Sequence, residues 1–245
     1  MEKKIDLFIV EGPSDEEYLH PLKKYMESQY GNALKFRITR GDICQKISFN
    51  HRAVVINRIH EHVETYLQEY HLSPKDVRRI IHVVDIDGVS IPIDKIIEDK
   101  SLDGIIYYRD HIEVIDKNSI IKRNINKEKI LKLMSSYSQP ISFKVKNAEI
   151  KIPYCMYFFS QNIDDVLSDK LNSTDEEKEN DSLEFAAMYK NNFTGFKNII
   201  YVNGCIHMTR TESWDYILSE DHALEKKTNL NLLIDEYIAN TNEDA

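Results

Sequence analysis

The chain has 245 residues, a formal net charge of −9, 42% hydrophobic residues and 10% aromatic residues. That length suits one large domain, or a core with an elaborated insertion, and the apolar share is enough for a true core. So acidic a balance excludes a general nucleic-acid coat protein, which needs positive charge to hold phosphates, but it leaves room for a local basic patch.

In chain order, Ile5 to Val10 is a nearly continuous apolar run that stops at Glu11-Gly12-Pro13-Ser14. It reads as a buried parallel strand followed by a tight turn. Ser14 is expected to cap the next helix with Glu17 as its partner. Tyr18, Leu19, Leu22, Tyr25 and Met26 recur at helical spacing up to Gly31, a natural stop. Leu34 to Ile38 suggests a second strand. Asn50 to Tyr70 carries Val54, Val55, Ile59, Val63 and Leu67 at helical period. Ser73-Pro74 starts a short turn, and Arg79 to Val84 is another buried strand, ending at Asp85-Ile86-Asp87-Gly88.

Residues 91–147 break this rhythm and read as an insertion, with a helix expected from Lys127 to Tyr137. Ile152 to Phe159 is the next strand, and residues 172–182 are polar and acidic, a loop or a helix start. Leu183 to Tyr189 is helical, Asn198 to Val202 is expected as a last strand, and Glu212 to Leu218 and Leu230 to Ile238 as C-terminal helices. Strands alternating with helices imply an α/β fold with a parallel sheet covered on both faces. The stretches 1–90, 91–147 and 148–245 are expected to form one compact domain.

Three cysteines, Cys44, Cys155 and Cys205, follow no zinc or redox spacing, so they are expected to be reduced thiols of a cytoplasmic protein. The first apolar run is too short for a signal peptide. No stretch approaches the roughly 20 apolar residues of a membrane span, so no membrane association is expected. His60 and His62 flank Glu61 but point to different helix faces, which does not make a zinc site.

Both acidic motifs fall at the C-terminal ends of expected strands, where ligands of parallel sheets bind. Two carboxylates two residues apart, as in Asp85-x-Asp87, suit a hard cation such as Mg²⁺ or Mn²⁺. A third carboxylate from a neighbouring strand end, such as Glu11, completes a site for phosphoryl chemistry, as ligand or as general acid/base.

Between Lys117 and Lys146 lie eight basic residues and one acid, Glu128. Lys122, Arg123, Lys127 and Lys129 are the expected contacts to a nucleic-acid backbone. From Asp164 to Glu184 the balance reverses, with nine acids against Lys170 and Lys178. This acidic stretch either pairs with the basic one or serves as a solubilising surface.

The run Ile9-Val10-Glu11-Gly12-Pro13-Ser14-Asp15-Glu16 resembles the first Toprim motif, and Val83-Val84-Asp85-Ile86-Asp87-Gly88 resembles the second. The resemblance covers roughly residues 1–90, and less surely the strand at 152–159. It is closest to stand-alone and OLD-family Toprim nucleases, several of which act in defence against phage. It implies a Toprim-like parallel sheet with an inserted basic segment and a helical C-terminal region. It implies Glu11 as the catalytic acid/base and Asp85 and Asp87 as ligands of Mg²⁺ or Mn²⁺. A further acidic ligand after a later strand falls on Asp164 rather than Asp165, where the family carries glutamate.

The implied activity is hydrolysis of phosphodiesters in DNA or RNA. Whether a separate ATPase partner protein is required, and whether the chain forms a homo-oligomer, stays open. The same Val83-to-Gly88 run also resembles the first motif of haloacid-dehalogenase-like phosphatases, with Asp85 as nucleophile and Asp87 as acid/base. Against that second resemblance, a complete strand–helix unit with its own acidic motif precedes it. A non-catalytic Toprim-like interaction protein is the third reading.

Overall fold

The computed structural model of the protein describes residues 4–31, 34–39, 42–44 and 51–243. Strand β1, Ile5–Val10, is buried at every position, as a strand with helices on both sides must be. Helix α1, Pro13–Tyr18, follows a two-residue turn and starts on a proline, whose missing N–H costs nothing there. Asp15, not Ser14, ties down this turn: its Oδ2 accepts the backbone N–H groups of Glu11 and Gly12 at 3.0 and 2.9 Å. Helix α2, His20–Tyr30, ends at Gly31, whose φ of 66° suits glycine.

Strand β2, Leu34–Ile38, then leads to helix α3, His51–Glu69. The expected start of that helix, Asn50, lies outside the described residues. A single 3-10 turn, Pro74–Asp76, capped by Ser73, opens strand β3, Val77–Asp85.

The insertion holds three short strands, β4 (Ile96–Glu98), β5 (Ile105–Tyr107) and β6 (Ile112–Val114), paired in the order β4-β6-β5. Helix α4 spans Lys117–Ser135, starting ten residues before the expected Lys127 and capped by Asp116. Strands β7 (Ile141–Val145) and β8 (Ala148–Ile152) form an antiparallel hairpin. Strand β9, Tyr154–Phe159, starts after Pro153.

Short helix α5, Ile163–Ser168, follows, then α6, Asp175–Tyr189, which takes up most of the acidic stretch expected as a loop or a helix start. Thr174 and Glu177 form a reciprocal capping box at its start. The strand expected at Asn198–Val202 is instead the C-terminal half of helix α7, Phe193–Asn203. Phe196 and Ile200, four residues apart, bury on one side of that helix, while Val202 is 83% exposed. Helices α8 (Arg210–Ile217) and α9 (Leu230–Glu243) complete the chain.

The main sheet is parallel throughout, in the order β2-β1-β3-β9. Alternate side chains of β1 enter two different cores. Leu7 and Ile9 join α3, α4, α8 and the β7–β8 hairpin. Phe8 and Val10 join α2, α5, α6, α7 and α9. The molecule is thus an α/β fold with a covered parallel sheet. The chain steps from β1 out to β2 and then returns past β1 to β3, so its direction switches between the C-terminal ends of β1 and β3. A switch of this kind opens a crevice for ligands.

Among the described residues, no helix is long and apolar enough to cross a membrane. Trp214 packs in the interior, edge-on to Phe158.

Candidate functional site

Glu11 leaves the end of β1 and Asp85 closes β3, two neighbouring parallel strands. The Asp85 N–H donates to Glu11 Oε1 at 3.4 Å. Both side chains line an open cleft of about 550 Å³ together with Asp15 of α1 and Asp164 of α5. The crowding is electrostatic as well as steric. Burial holds the Asp85 carboxyl well above the ordinary carboxylate range, and Asp15 and Glu11 add to the effect. Glu11 is also raised well above its usual value, by burial first, with Lys127 pulling the other way. Burial pushes Asp15 up to about 6 against the stabilising Gly12 N–H. Asp164 is raised by burial, opposed by Lys178.

Asp164 and Asp165 are adjacent but serve different ends. Asp164 is 3% exposed, lines the cleft, and its buried Oδ1 has no hydrogen-bond partner. Asp165 is held by Arg109 in a two-point ion pair at 2.8 and 2.6 Å. Neither caps α5; the Asn162 side chain does, accepting the Asp165 N–H.

Asp85 and Asp87 do not face one point. Asp87 adopts φ 57° and Gly88 φ 60°, so the side-chain alternation of β3 ends after Asp85. The Asp87 carboxylate turns to Lys127 Nζ at 2.7 Å, and the same ammonium lies 2.5 Å from Asp42 Oδ2. Burial works against the charge on Lys127, but Asp87, Asp42 and Glu11 outweigh it and hold the ammonium firmly protonated. Asp87 therefore faces Lys127 in this structure, whereas Asp85, expected beside it as a cation ligand, lines the cleft.

The expectation for Lys127 is corrected. It has no exposed surface and cannot present its charge to a nucleic-acid backbone. Arg123 donates to the Asp87 carbonyl at 3.3 Å and to Asn124 Oδ1. Lys122 and Lys129 are exposed on the outer side of α4. The acidic stretch 164–184 pairs with Arg109, Lys226 and its own Lys170, not with the basic residues of 117–146.

Reading the sequence missed Asp15, Asp42, the interior place of Lys127, and Lys178. A signal for Lys127 was present: Asn124, Lys127, Leu131 and Met134 recur at helical spacing and form the buried face of α4. Asp15 sits one helical turn after Glu11, close enough to share its site. Asp42 lies in a loop after β2 where nothing periodic marks it.

Among the described residues, no group of three or more His, Cys, Asp or Glu side chains is drawn close enough to hold a metal as it stands. The donor set is nonetheless chemically suited to one. Its oxygens are hard ligands, its carboxylates repel one another, and Asp164 Oδ1 is buried without a partner. Comparison with protein-family models, curated proteins and solved structures gave no match to this chain.

Proposed function

We propose that the protein is a Toprim-like nuclease that hydrolyses phosphodiester bonds of DNA or RNA with Mg²⁺ or Mn²⁺. One juxtaposition supports this reading: Glu11 and Asp85, at adjacent strand ends of the sheet's switch point, share a cleft with Asp15 and with Asp164, whose buried Oδ1 has no hydrogen-bond partner. Asp85 and Asp164, with Glu11 beside them, would hold the cation. A divalent cation in such a place neutralises phosphate charge and acidifies water.

The chain's own residues then have separate tasks. Glu11, whose carboxyl burial holds above the usual carboxylate range, accepts a proton from the water that attacks phosphorus and passes it on. Asp15 clamps the Glu11 and Gly12 amides and so fixes the direction in which the Glu11 side chain leaves β1. Lys127 keeps Asp87 and Asp42 neutralised behind the cleft. Lys122 and Lys129 offer exposed cations for the strand outside it. Defence against phage and a separate ATPase partner belong to this reading through the Toprim resemblance alone, and a cytoplasmic location through the cysteine spacing.

The test is incubation of the purified protein with Mg²⁺ or Mn²⁺ and a panel of DNA and RNA. Glu11→Gln and Asp85→Asn should each lower cleavage by about 10²–10⁴-fold while the circular dichroism spectrum stays that of the wild type. Full activity in either variant defeats the assignment. An acid-stable acyl phosphate on Asp85, with turnover of a small phosphomonoester, would replace it with the phosphatase reading.

A further inference from the structure

The wall of the cleft opposite Glu11 is helix α6, and it presents a single stripe. Asp175, Lys178, Glu179, Ser182 and Leu183 line the cleft at the spacing of one helix face. Among the described residues that line the cleft, seven are carboxylates and one is a lysine. Four of the carboxylates, Glu11, Asp15, Asp85 and Asp164, are buried or half-buried within it, whereas Asp175 and Glu179 stand exposed at its edge.

Lys178 is in no ion pair among the described residues, although its neighbour Lys170 is held by Asp181 at 2.6 Å. Its charge acts on Asp15 and Asp164 instead. The buried Asp164 Oδ1 has no hydrogen-bond partner, so the interior of the cleft holds an acceptor that a ligand could engage.

A strand running through this cleft would lay phosphates, one per nucleotide, along the exposed carboxylates of α6. A cation bound by the inner carboxylates would not screen those at the edge. One phosphate beside Lys178 is favourable, and a second beyond it meets Asp175 or Glu179. The volume, about 550 Å³, lies in the range of sites for small molecules, about 300–1,000 Å³.

We infer that the cleft takes the terminal nucleotide of a DNA or RNA strand, with Lys178 on its phosphate, and that Asp175 and Glu179 turn away a strand that continues past the site. The protein then trims ends and spares internal bonds. This rests on the phosphodiesterase reading above.

One oligonucleotide sequence, made as a 5′-phosphorylated linear strand and as a closed circle, in DNA and in RNA, tests it in the presence of Mn²⁺. The linear form should shorten from an end, and the circle should open about tenfold more slowly or less. Equal rates would overturn the inference and leave the nuclease reading standing. Cleavage of neither form would overturn the nuclease reading and the inference with it. Asp175→Asn combined with Glu179→Gln should raise the circle-to-linear ratio several-fold; an unchanged ratio removes the acidic wall as the cause. Lys178→Met should raise KM for the phosphorylated linear strand about tenfold with kcat nearly constant, and Lys178→Arg should restore it. An unchanged KM excludes Lys178 from the phosphate.

Discussion

His82 lies in the middle of β3 with 1% of its surface exposed, and its Nδ1 is 2.9 Å from the Tyr154 hydroxyl. Burial lowers its pKa from 6.5 to about 4, with His62 and Lys127 helping and Asp42 opposing. An imidazole that resists protonation in the folded chain is protonated more readily in the unfolded one. Between those two pKa values the unfolded state binds more protons, so this residue's contribution is intact above about pH 6.5 and is lost as pH falls towards 4. Urea denaturation should show wild type losing about 2 kcal/mol relative to His82→Gln between roughly pH 7.5 and pH 5. A constant difference across that range would mean that His82 does not carry the effect. At this same scale the sequence was readable only in part. Glu11 and Asp85 were visible because each ends an apolar run, and strand ends are where a parallel sheet binds ligands. The turning away of Asp87 was not visible, because it depends on a φ of 57° that an Asp-Gly pair permits but does not demand.

Among the elements, β1 and β3, which end at Glu11 and Asp85, could be read as apolar runs that stop at acidic turns, and α3 by its helical spacing. The others were misread or left open for separate reasons. In α7 the run Ile199-Ile200-Tyr201-Val202 has strand-like residues, but its burial follows Phe196 and Ile200 at helical spacing. In α6 the acidic start, expected as a loop or a helix start, is a helix start with its own capping box. Helix α4 was foreshortened because its first turns are mostly polar, although they carry the buried Asn124. Lys127 now gives α4 a measurable role. Removing its ammonium leaves Asp42 and Asp87 facing each other with no cation between them. Lys127→Met should destabilise the protein by about 3–5 kcal/mol in urea denaturation. Adding Asp42→Asn and Asp87→Asn to it should recover most of that loss. If Lys127→Met is as stable as wild type, α4 is held by its apolar residues alone and the lysine is not the countercharge of the site.

Across the whole molecule, the insertion is joined to the core rather than hung from it. Ile130, Leu131 and Met134 of α4 and Ile141 and Phe143 of β7 share one buried cluster with Leu7, Ile80, Val84 and Phe158 of the main sheet. The small sheet closes its own cluster of Ile91, Ile96, Ile112 and Val114 on Ala223 and Leu224, which lie far along the chain. Gly88, which starts the path into the insertion, has space for no side chain: an added Cβ would stand 2.9 Å from Leu224. Burial of each large apolar side chain is worth about 1.5–3 kcal/mol. Five of them together therefore match the whole stability of an ordinary domain, about 5–15 kcal/mol. A variant in which a short glycine linker replaces residues 91–147 should then lose its cooperative thermal transition and its near-ultraviolet circular dichroism, and not merely its activity. A sharply melting monomer from that variant would show that 1–90 and 148–245 fold by themselves. The basic segment would then be an addition to a finished core, and the Lys127 ion pairs would be a local convenience rather than the link between the insertion and the candidate site.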